Sequence, residues 1–403
     1  MTRGWRQASV WLAAYLCLGA PLAGAQSVVD PAREITYPIG TSADYRRPRN
    51  LIGSHSAMDR LFPARQLRAA GNAVPLARSA GAEPAVAFTH AGRNWTLDSY
   101  LEGSGSTAFL ALRRDGTVQI ERYLHQRRPE DRFTSWSMAK TVTAMLVGLA
   151  VADGRIRSLD DPVSAYLPAL AGSAHGPVTI RQLLTMTSGV AFDETYDRRD
   201  TDIARLAQLA LGGRGGGLAT VDWLRRREAE PGTRWHYASA DTQVLGLVLR
   251  AATGRPLAAM LEERIWQPMG AEAGASWLVD ASGQEAAYCC LNATLHDYGR
   301  LGLLLLNEGR ALDGRQVLPA AWVREMTTPS APGAPGGGYG FQTWIARDGS
   351  AAFRGVRGQW IHVDRRRGLV IVRLAAREQS RDDADNALTS AMIRAVSARL
   401  GGG

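Results

Sequence analysis

Phe133-Thr134-Ser135-Trp136-Ser137-Met138-Ala139-Lys140 is the stretch on which the reading of this chain turns. The chain holds 47 Lys plus Arg, and Lys140 is the one lysine; every other basic position is Arg. A guanidinium stays protonated in a protein, whereas a buried ammonium can lose its proton. The one position that keeps lysine is therefore a candidate for needing a neutral amine. It follows Ser137 by three residues, at the start of an apolar helical pattern, MAKTVTAMLVGLAVADG. That spacing puts Ser137 and Lys140 side by side on one helix face. The predicted helix, from Met138 to Ala152, is apolar almost all round, the mark of a buried helix. Burying an unpaired ammonium there is costly without a reason, so Ser137 and Lys140 are read as a catalytic pair.

Working outward, residues 1–25 read as a secretory signal. Arg3 and Arg6 give a basic start, Ala8 to Leu22 is mostly apolar, and Ala23-Gly24-Ala25 is a small-x-small cleavage site before Gln26. Cys17 lacks the small residues that precede a lipidated cysteine. The mature protein is expected to be exported, periplasmic or secreted, with no stable membrane anchor. Cleavage removes two Arg and no acid from a net charge of +9. The remaining basicity is scattered, its densest runs being Arg225-Arg226-Arg227 and Arg365-Arg366-Arg367. Without interleaved aromatics these read as a solvated basic face and not a nucleic-acid site. Cys289 and Cys290 are adjacent, a strained arrangement for pairing, and make no disulfide framework. The seven His are not at metal-ligand spacing, so neither metal nor other cofactor is expected. Gly212 to Gly217 follows no strand and reads as a loop.

Residues 26–100 read as a largely irregular arm packing over the body. Thr107 to Leu112 and Thr117 to Tyr123 flank Asp115-Gly116, a hairpin signal. Helical patterns then cover 158–167, 179–187, 203–211, 221–230, 240–253, 257–266, 293–307 and 320–327. Strand-like runs follow at 340–346, 359–364 and 368–374, and a helix closes the chain from about 383 to 400. The layout is α+β: a sheet domain from 101–178 and 290–403, with a helical domain at 179–289 inserted between its strands. A cleft between the two would hold the Ser137 turn at its floor. Tyr237-Ala238-Ser239 precedes the Ala240 helix. A phenol there can relay a proton to a leaving group, although Tyr-x-Ser taken alone is equally a helix cap.

Ser-x-x-Lys followed by Tyr-x-Ser resembles the class C β-lactamases and their relatives, the penicillin-binding DD-peptidases and serine esterases. The stretches SWSMAKTVTAMLVGLAVADGRIRSLDDPVSAYLP, TIRQLLTMTSGVAFDETY, YASADTQVLGLVLRAATG and CLNATLHDYGRLGLLLLNEG are more closely similar to the 6-aminohexanoate-dimer hydrolases, the nylon-oligomer carboxylesterase branch. The resemblance implies a β-lactamase/transpeptidase-like fold: an antiparallel sheet flanked by helices, an inserted all-helical domain, and Ser137, Lys140 and Tyr237 in the cleft. It also implies an oxyanion site from the N–H groups of Ser137 and Val356, and substrate contacts from Tyr196, Ser239 and Gly355. The third motif departs from the family. Where relatives carry Lys-Thr-Gly or His-x-Gly, this chain has Phe353-Arg354-Gly355-Val356. The missing lysine argues against penicillins, unless Arg354 or Arg357 replaces it. The resemblance implies attack by Ser137, an acyl-enzyme, and deacylation by water, with Lys140 or a Tyr237 phenolate as the base. Three readings stay open: an exported hydrolase of small ester or linear amide substrates, a DD-peptidase or β-lactamase, and an inactive binding or sensor domain. The oligomeric state is not legible in the sequence.

Overall fold

The computed structural model describes residues 1, 37–213 and 215–401. The expected signal and cleavage site, apart from Met1, lie outside the described residues. In chain order the strands are β1 (Ala64–Leu67), β2 (Ala87–His90), β3 (Arg93–Thr96), β4 (Ser106–Arg113), β5 (Val118–Tyr123), β6 (Phe133–Thr134), β7 (Ala275–Leu278), β8 (Leu291–Ala293), β9 (Gly338–Tyr339), β10 (Trp344–Ile345), β11 (Ala351–Gly355), β12 (Gln359–Asp364) and β13 (Leu369–Ala375). The α-helices are α1 (Leu51–His55), α2 (Met58–Leu61), α3 (Leu97–Gly103), α4 (Ala139–Ala152), α5 (Ile180–Leu184), α6 (Asp202–Leu211), α7 (Ser239–Thr253), α8 (Leu257–Leu261), α9 (Leu295–Leu306), α10 (Ala320–Thr327) and α11 (Asp383–Leu400).

The main sheet is antiparallel, in the order β5-β4-β13-β12-β11-β10-β9. Its first two strands thus precede the nucleophile, and the other five come from the last third of the chain. The central strands β4 and β13 are mostly apolar because both their faces are covered. Ala108, Leu110 and Leu112 of β4 point into the core shared with α4 and α9. Phe109 and Ala111 point the other way, onto Tyr100 and onto Met392, Ile393 and Val396 of α11. This is the period-2 alternation of a strand, read out against two cores instead of core and water.

Helix α9 can lie close on the sheet because it turns glycines toward it. A Cβ at Gly302 would meet Val370 Cγ1 at 2.6 Å and Ile361 Cγ2 at 2.8 Å. One at Gly299 would meet Leu112 Cδ1 at 2.7 Å. A second sheet, β1-β7-β8-β6, runs beneath the nucleophile turn.

Several expectations are corrected. The arm before residue 100 supplies β1 to the second sheet and carries the β2–β3 hairpin and α3. Residues 158–167 form a short 3₁₀ turn at Val163–Ala165, with another at Pro168–Leu170, instead of an α-helix. The stretch 221–230 is not helical: Ala191 N–H donates to Arg226 O and Glu228 N–H to Gly189 O, so it runs extended beside 189–191. The expected strand at 340–346 reduces to the two-residue β10, with the two-residue β9 just before it. Between β10 and β12 lies β11, absent from the strand-like runs but aligned by the third motif with an inner strand; it ends at Gly355, and Val356, expected on the strand, begins a 3₁₀ turn. Strand β7 falls inside the stretch read as helical. Cys289 and Cys290 are disulfide-bonded to each other; their Cα atoms are 3.7 Å apart, and the neighbour-to-neighbour link set aside from sequence is the one that forms.

Candidate active site

The nucleophile turn is held from below. Ser135 N–H donates to Leu291 O, Leu291 N–H donates to Ser135 Oγ, and Tyr298 OH donates to Phe133 O. These bonds tie β6 to β8 and leave the chain to rise through a 3₁₀ turn, Trp136–Met138, into α4. Trp136 has φ of 43°, a left-handed conformation that a bulky residue adopts only where its surroundings impose it. It immediately precedes Ser137. Helix α4 is buried from Ala139 to Ala150, which puts the Lys140 ammonium in the core, 1% exposed.

Lys140 Nζ donates to three acceptors at 3.0 Å each: Ser137 Oγ, Ser239 Oγ and the Tyr288 carbonyl. None is a carboxylate. Burial lowers the Lys140 pKa to about 7, the charge of nearby Glu194 opposing the fall and that of Arg381 adding to it. Ser239 is the first residue of α7, but Ala238 is the N-cap and Ser239 caps nothing. Its hydroxyl donates instead to Glu194 Oε1 (2.6 Å) and its N–H to Glu194 Oε2 (2.8 Å). Tyr196 OH donates to the same Glu194 Oε1. Glu194 is buried and was missed from sequence. It sits two residues before Tyr196, on a loop whose approach to α7 depends on the helical segment being folded; the one local signal is FDETY itself.

Tyr237 lies in the loop entering α7, stacked on Trp344 with ring centroids 5.4 Å apart and planes 28° apart. Its ring is 5.1 Å from Lys140 Nζ. Burial first, and then the Glu194 charge, push its phenol well above its ordinary range, while hydrogen bonding with Ser137 pulls it partly back. It is therefore protonated at neutral pH.

Gly355 closes the other wall. A Cβ there would stand 2.5 Å from Ser135 O, so only glycine lets the end of β11 come this close to the nucleophile turn. The next residue, Val356, lines the cleft with Ser137.

The cleft is about 880 Å³. It brings together Ser137, Tyr196, Tyr237, Gly355 and Val356, while Ser239 lines an adjoining smaller pocket with Ser137, Tyr288 and Cys289. The two candidate replacements for the missing lysine part company. Arg357 is buried and consumed internally: it donates to the carbonyls of Arg377 and Glu378 and pairs with Asp197 at 3.1 Å. Arg354 lines the cleft, its guanidinium 4.2 Å from the Trp360 ring and 5.3 Å from Trp344. Among the described residues, no group of three or more His, Cys, Asp or Glu is arranged to hold a metal.

Residues 88–393 match the family described as "Beta-lactamase". A 6-aminohexanoate-dimer hydrolase of Paenarthrobacter ureafaciens is 29% identical over 296 residues, 70% of this chain and 75% of that protein. Esterase EstB of Burkholderia gladioli is 34% identical over 166 residues, 36% of this chain and 38% of that one. A Bacillus anthracis protein assigned as a 6-aminohexanoate-dimer hydrolase has the same fold, with a TM-score of 0.81 at 24% identity, covering 89% of this chain and 97% of that one. Together with the sheet order and the cleft, these matches identify the chain as a serine hydrolase of the β-lactamase family.

Proposed function

We propose that Ser137 is the nucleophile of an esterase or amidase acting on small linear substrates, and that Lys140 is its base. The observation that carries this reading is the direction of the hydrogen bonds around Nζ. The Tyr288 carbonyl can only accept. Ser239 has its proton committed to Glu194, so its oxygen faces Lys140 as an acceptor as well. When Lys140 is neutral, it has two N–H donors and one lone pair. The donors satisfy Tyr288 O and Ser239 Oγ, and the lone pair is left for the Ser137 hydroxyl. The network thus aims the Ser137 proton at Nζ.

In this reading Ser137 Oγ attacks the substrate carbonyl while its proton passes to Lys140. The tetrahedral oxyanion is held by the N–H groups of Ser137 and Val356, the first of them at a helix start where negative charge is favoured. Tyr237, protonated, donates to the leaving oxygen or nitrogen as the bond to carbon breaks. Water then attacks the acyl carbonyl, giving a proton to the Tyr237 phenolate, and Ser137 is released with the proton returned by Lys140. Tyr196, hydrogen-bonded to Glu194 at the cleft wall, is positioned to contact the acyl chain. The names of the relatives, a 6-aminohexanoate-dimer hydrolase and an esterase, support ester and linear amide bonds as the targets.

The test is acylation. A fluorophosphonate probe should label the wild type on the Ser137 peptide, and 4-nitrophenyl acetate should be turned over; Ser137→Ala should do neither. Labelling elsewhere, or none, removes the reading. A fluorescent penicillin run in parallel separates an esterase or amidase from a DD-peptidase or β-lactamase. We also propose export, supported by the basic start, apolar run and Ala23-Gly24-Ala25 site. Mass spectrometry of the exported protein should find its N-terminus at or near Gln26, and a retained Met1 would exclude it.

A further inference from the structure

Tyr288, whose carbonyl faces Lys140, is followed at once by the disulfide-bonded pair Cys289 and Cys290. Cys289 lines the smaller pocket together with Ser137, Ser239 and Tyr288. Neighbouring elements hold the rest of this turn. Trp277 Nε1 donates to the carbonyls of Ala286 and Cys289, at 3.0 and 2.9 Å. Thr143 Oγ1 donates to Ala287 O at 2.8 Å, and Leu278 N–H to Cys290 O at 3.2 Å. The Tyr288 carbonyl instead accepts from Lys140 Nζ.

Cys290 has φ of 71°, a left-handed value that a residue with a Cβ keeps only where its surroundings impose it. A link between neighbouring side chains closes a ring through the 289–290 peptide, and that ring contains the N–Cα bond about which this φ turns. Part of what imposes the conformation is therefore covalent. With the link open, Cys290 can return to negative φ by turning the 289–290 peptide. That turn draws Cys289 O away from Trp277 and loosens the preceding peptide, whose oxygen is Tyr288 O.

We infer that the Cys289–Cys290 link positions the Tyr288 carbonyl against Lys140, so that a dithiol which opens the link slows acylation of Ser137. This rests on the base assigned to Lys140 above. In the opening step a thiolate of the dithiol attacks one cysteine sulfur, and the S–S bond breaks with its electron pair going to the other. The second thiolate of the dithiol then displaces the first cysteine from the mixed disulfide. The dithiol leaves as its own disulfide, two electrons poorer, and its two protons end on the cysteine sulfurs by way of solvent.

Without the Tyr288 acceptor, neutral Lys140 has a donor to spare for Ser137 Oγ, and its lone pair is no longer aimed at the Ser137 proton. The ammonium also loses an acceptor that favours it. The other groups facing it remain: the charges of Glu194 and Arg381, the rings of Tyr237 and Tyr288, and the hydroxyls of Ser137 and Ser239. Opening should therefore slow acylation about ten-fold and move its rising limb down by about one pH unit, the scale of one hydrogen bond to a charged group. A mere loss of folded protein would lower the rate without moving the limb.

The test uses the full chain, reduced with dithiothreitol and desalted without air. Fluorophosphonate labelling of Ser137 is timed across the pH range around 7. Alkylation of the peptide carrying Cys289 and Cys290 reports how much of the pair is open. The expected result is slower labelling with the limb shifted down, both reversed by reoxidation with diamide. Cys290→Ser, which lacks the link without any reductant, should show the same rate and limb. An opened, folded wild type with the rate and limb of the closed form overturns the inference. So does a pair that cannot be opened, by reductant or by Cys290→Ser, without unfolding the chain, since the link would then serve folding alone. Absence of Ser137 labelling in both forms would instead remove the acyl-enzyme reading on which the inference rests.

Discussion

Lys140 concentrates the chemistry of this site, and its environment makes a signed expectation. Its ordinary pKa of 10.5 falls to about 7 in the fold, and only the neutral amine can accept the Ser137 proton. The rate of acylation should therefore rise with pH through about 7 to a plateau, measured as kcat/KM on a neutral ester. A profile that falls over that range would mean the ammonium is the active form. Glu194 contributes charge as well as aim: its negative field raises the Lys140 pKa. Glu194→Gln should shift the rising limb to lower pH and, by loosening the Ser239 orientation, reduce the plateau. A shift to higher pH would contradict the assignment. Lys140→Arg and Lys140→Met should both fold, by their thermal transitions, and neither should be acylated on the wild-type time course; rapid acylation of the Arg variant would show that a neutral amine is not required. Tyr237→Phe should lower turnover by roughly 10²-fold or more, the usual scale for a positioned proton donor. An unchanged rate would leave Tyr237 as packing.

Strand β11 and helix α9 show how elements deliver these residues. The end of β11 must pass against the nucleophile turn, and Gly355 is the residue that allows it. Gly355→Ala puts a methyl on Ser135 O, a backbone atom that cannot rotate away, so the Val356 N–H should retreat from the oxyanion position. The expected result is a drop in kcat of about 10²-fold, the scale of losing one oxyanion donor, with substrate binding less affected. A wild-type kcat would place the second donor elsewhere. Elsewhere on the same face of the sheet, Gly302→Ala should destabilise by about 1–3 kcal/mol, the usual cost of overpacking. Its contacts are branched methyls of Val370 and Ile361, side chains that are stiff at χ1. A denaturant midpoint equal to wild type would show that α9 can lift without cost.

Across the whole molecule, His296 joins segments that are remote in sequence. It bonds Glu121 of β5 and Glu272, the latter just before β7, both at 2.9 Å, and Arg300 adds a second contact to Glu272. Burial pushes the His296 pKa down, but the two carboxylates outweigh it and hold it at about 9, against an ordinary 6.5. A raised folded pKa stabilises fully below the unfolded value and is lost as pH rises through the folded one. The Tm difference between wild type and His296→Gln should therefore be largest near pH 6 and shrink by pH 10. Lys140 acts with the opposite sign, its depressed pKa adding stability as pH rises from about 7 towards 10.5, and it cancels because both proteins carry it. A Tm difference independent of pH would mean that His296 is held by packing alone.

What could be read from the sequence is what short-range geometry dictates. Ser137 and Lys140 share a turn of helix, so their spacing alone puts them together, and the lone lysine among arginines marks the pair. Strands β12 and β13 were legible because each is rich in β-branched or aromatic residues and bounded by turn residues, and α7 because Gly254 ends it. The features that only the tertiary structure decided depend on register and on loops meeting across the molecule. Glu194 acquires its role from where its loop meets α7, forty-five residues later in the chain. Arg354 faces the cleft and Arg357 is locked away because β11 ends between them and the chain turns, with Arg357 at φ of 63°. The second sheet went unread because β6 and β8 are two and three residues long, too short to show a period, and are strands by virtue of the partners that long-range folding brings beside them.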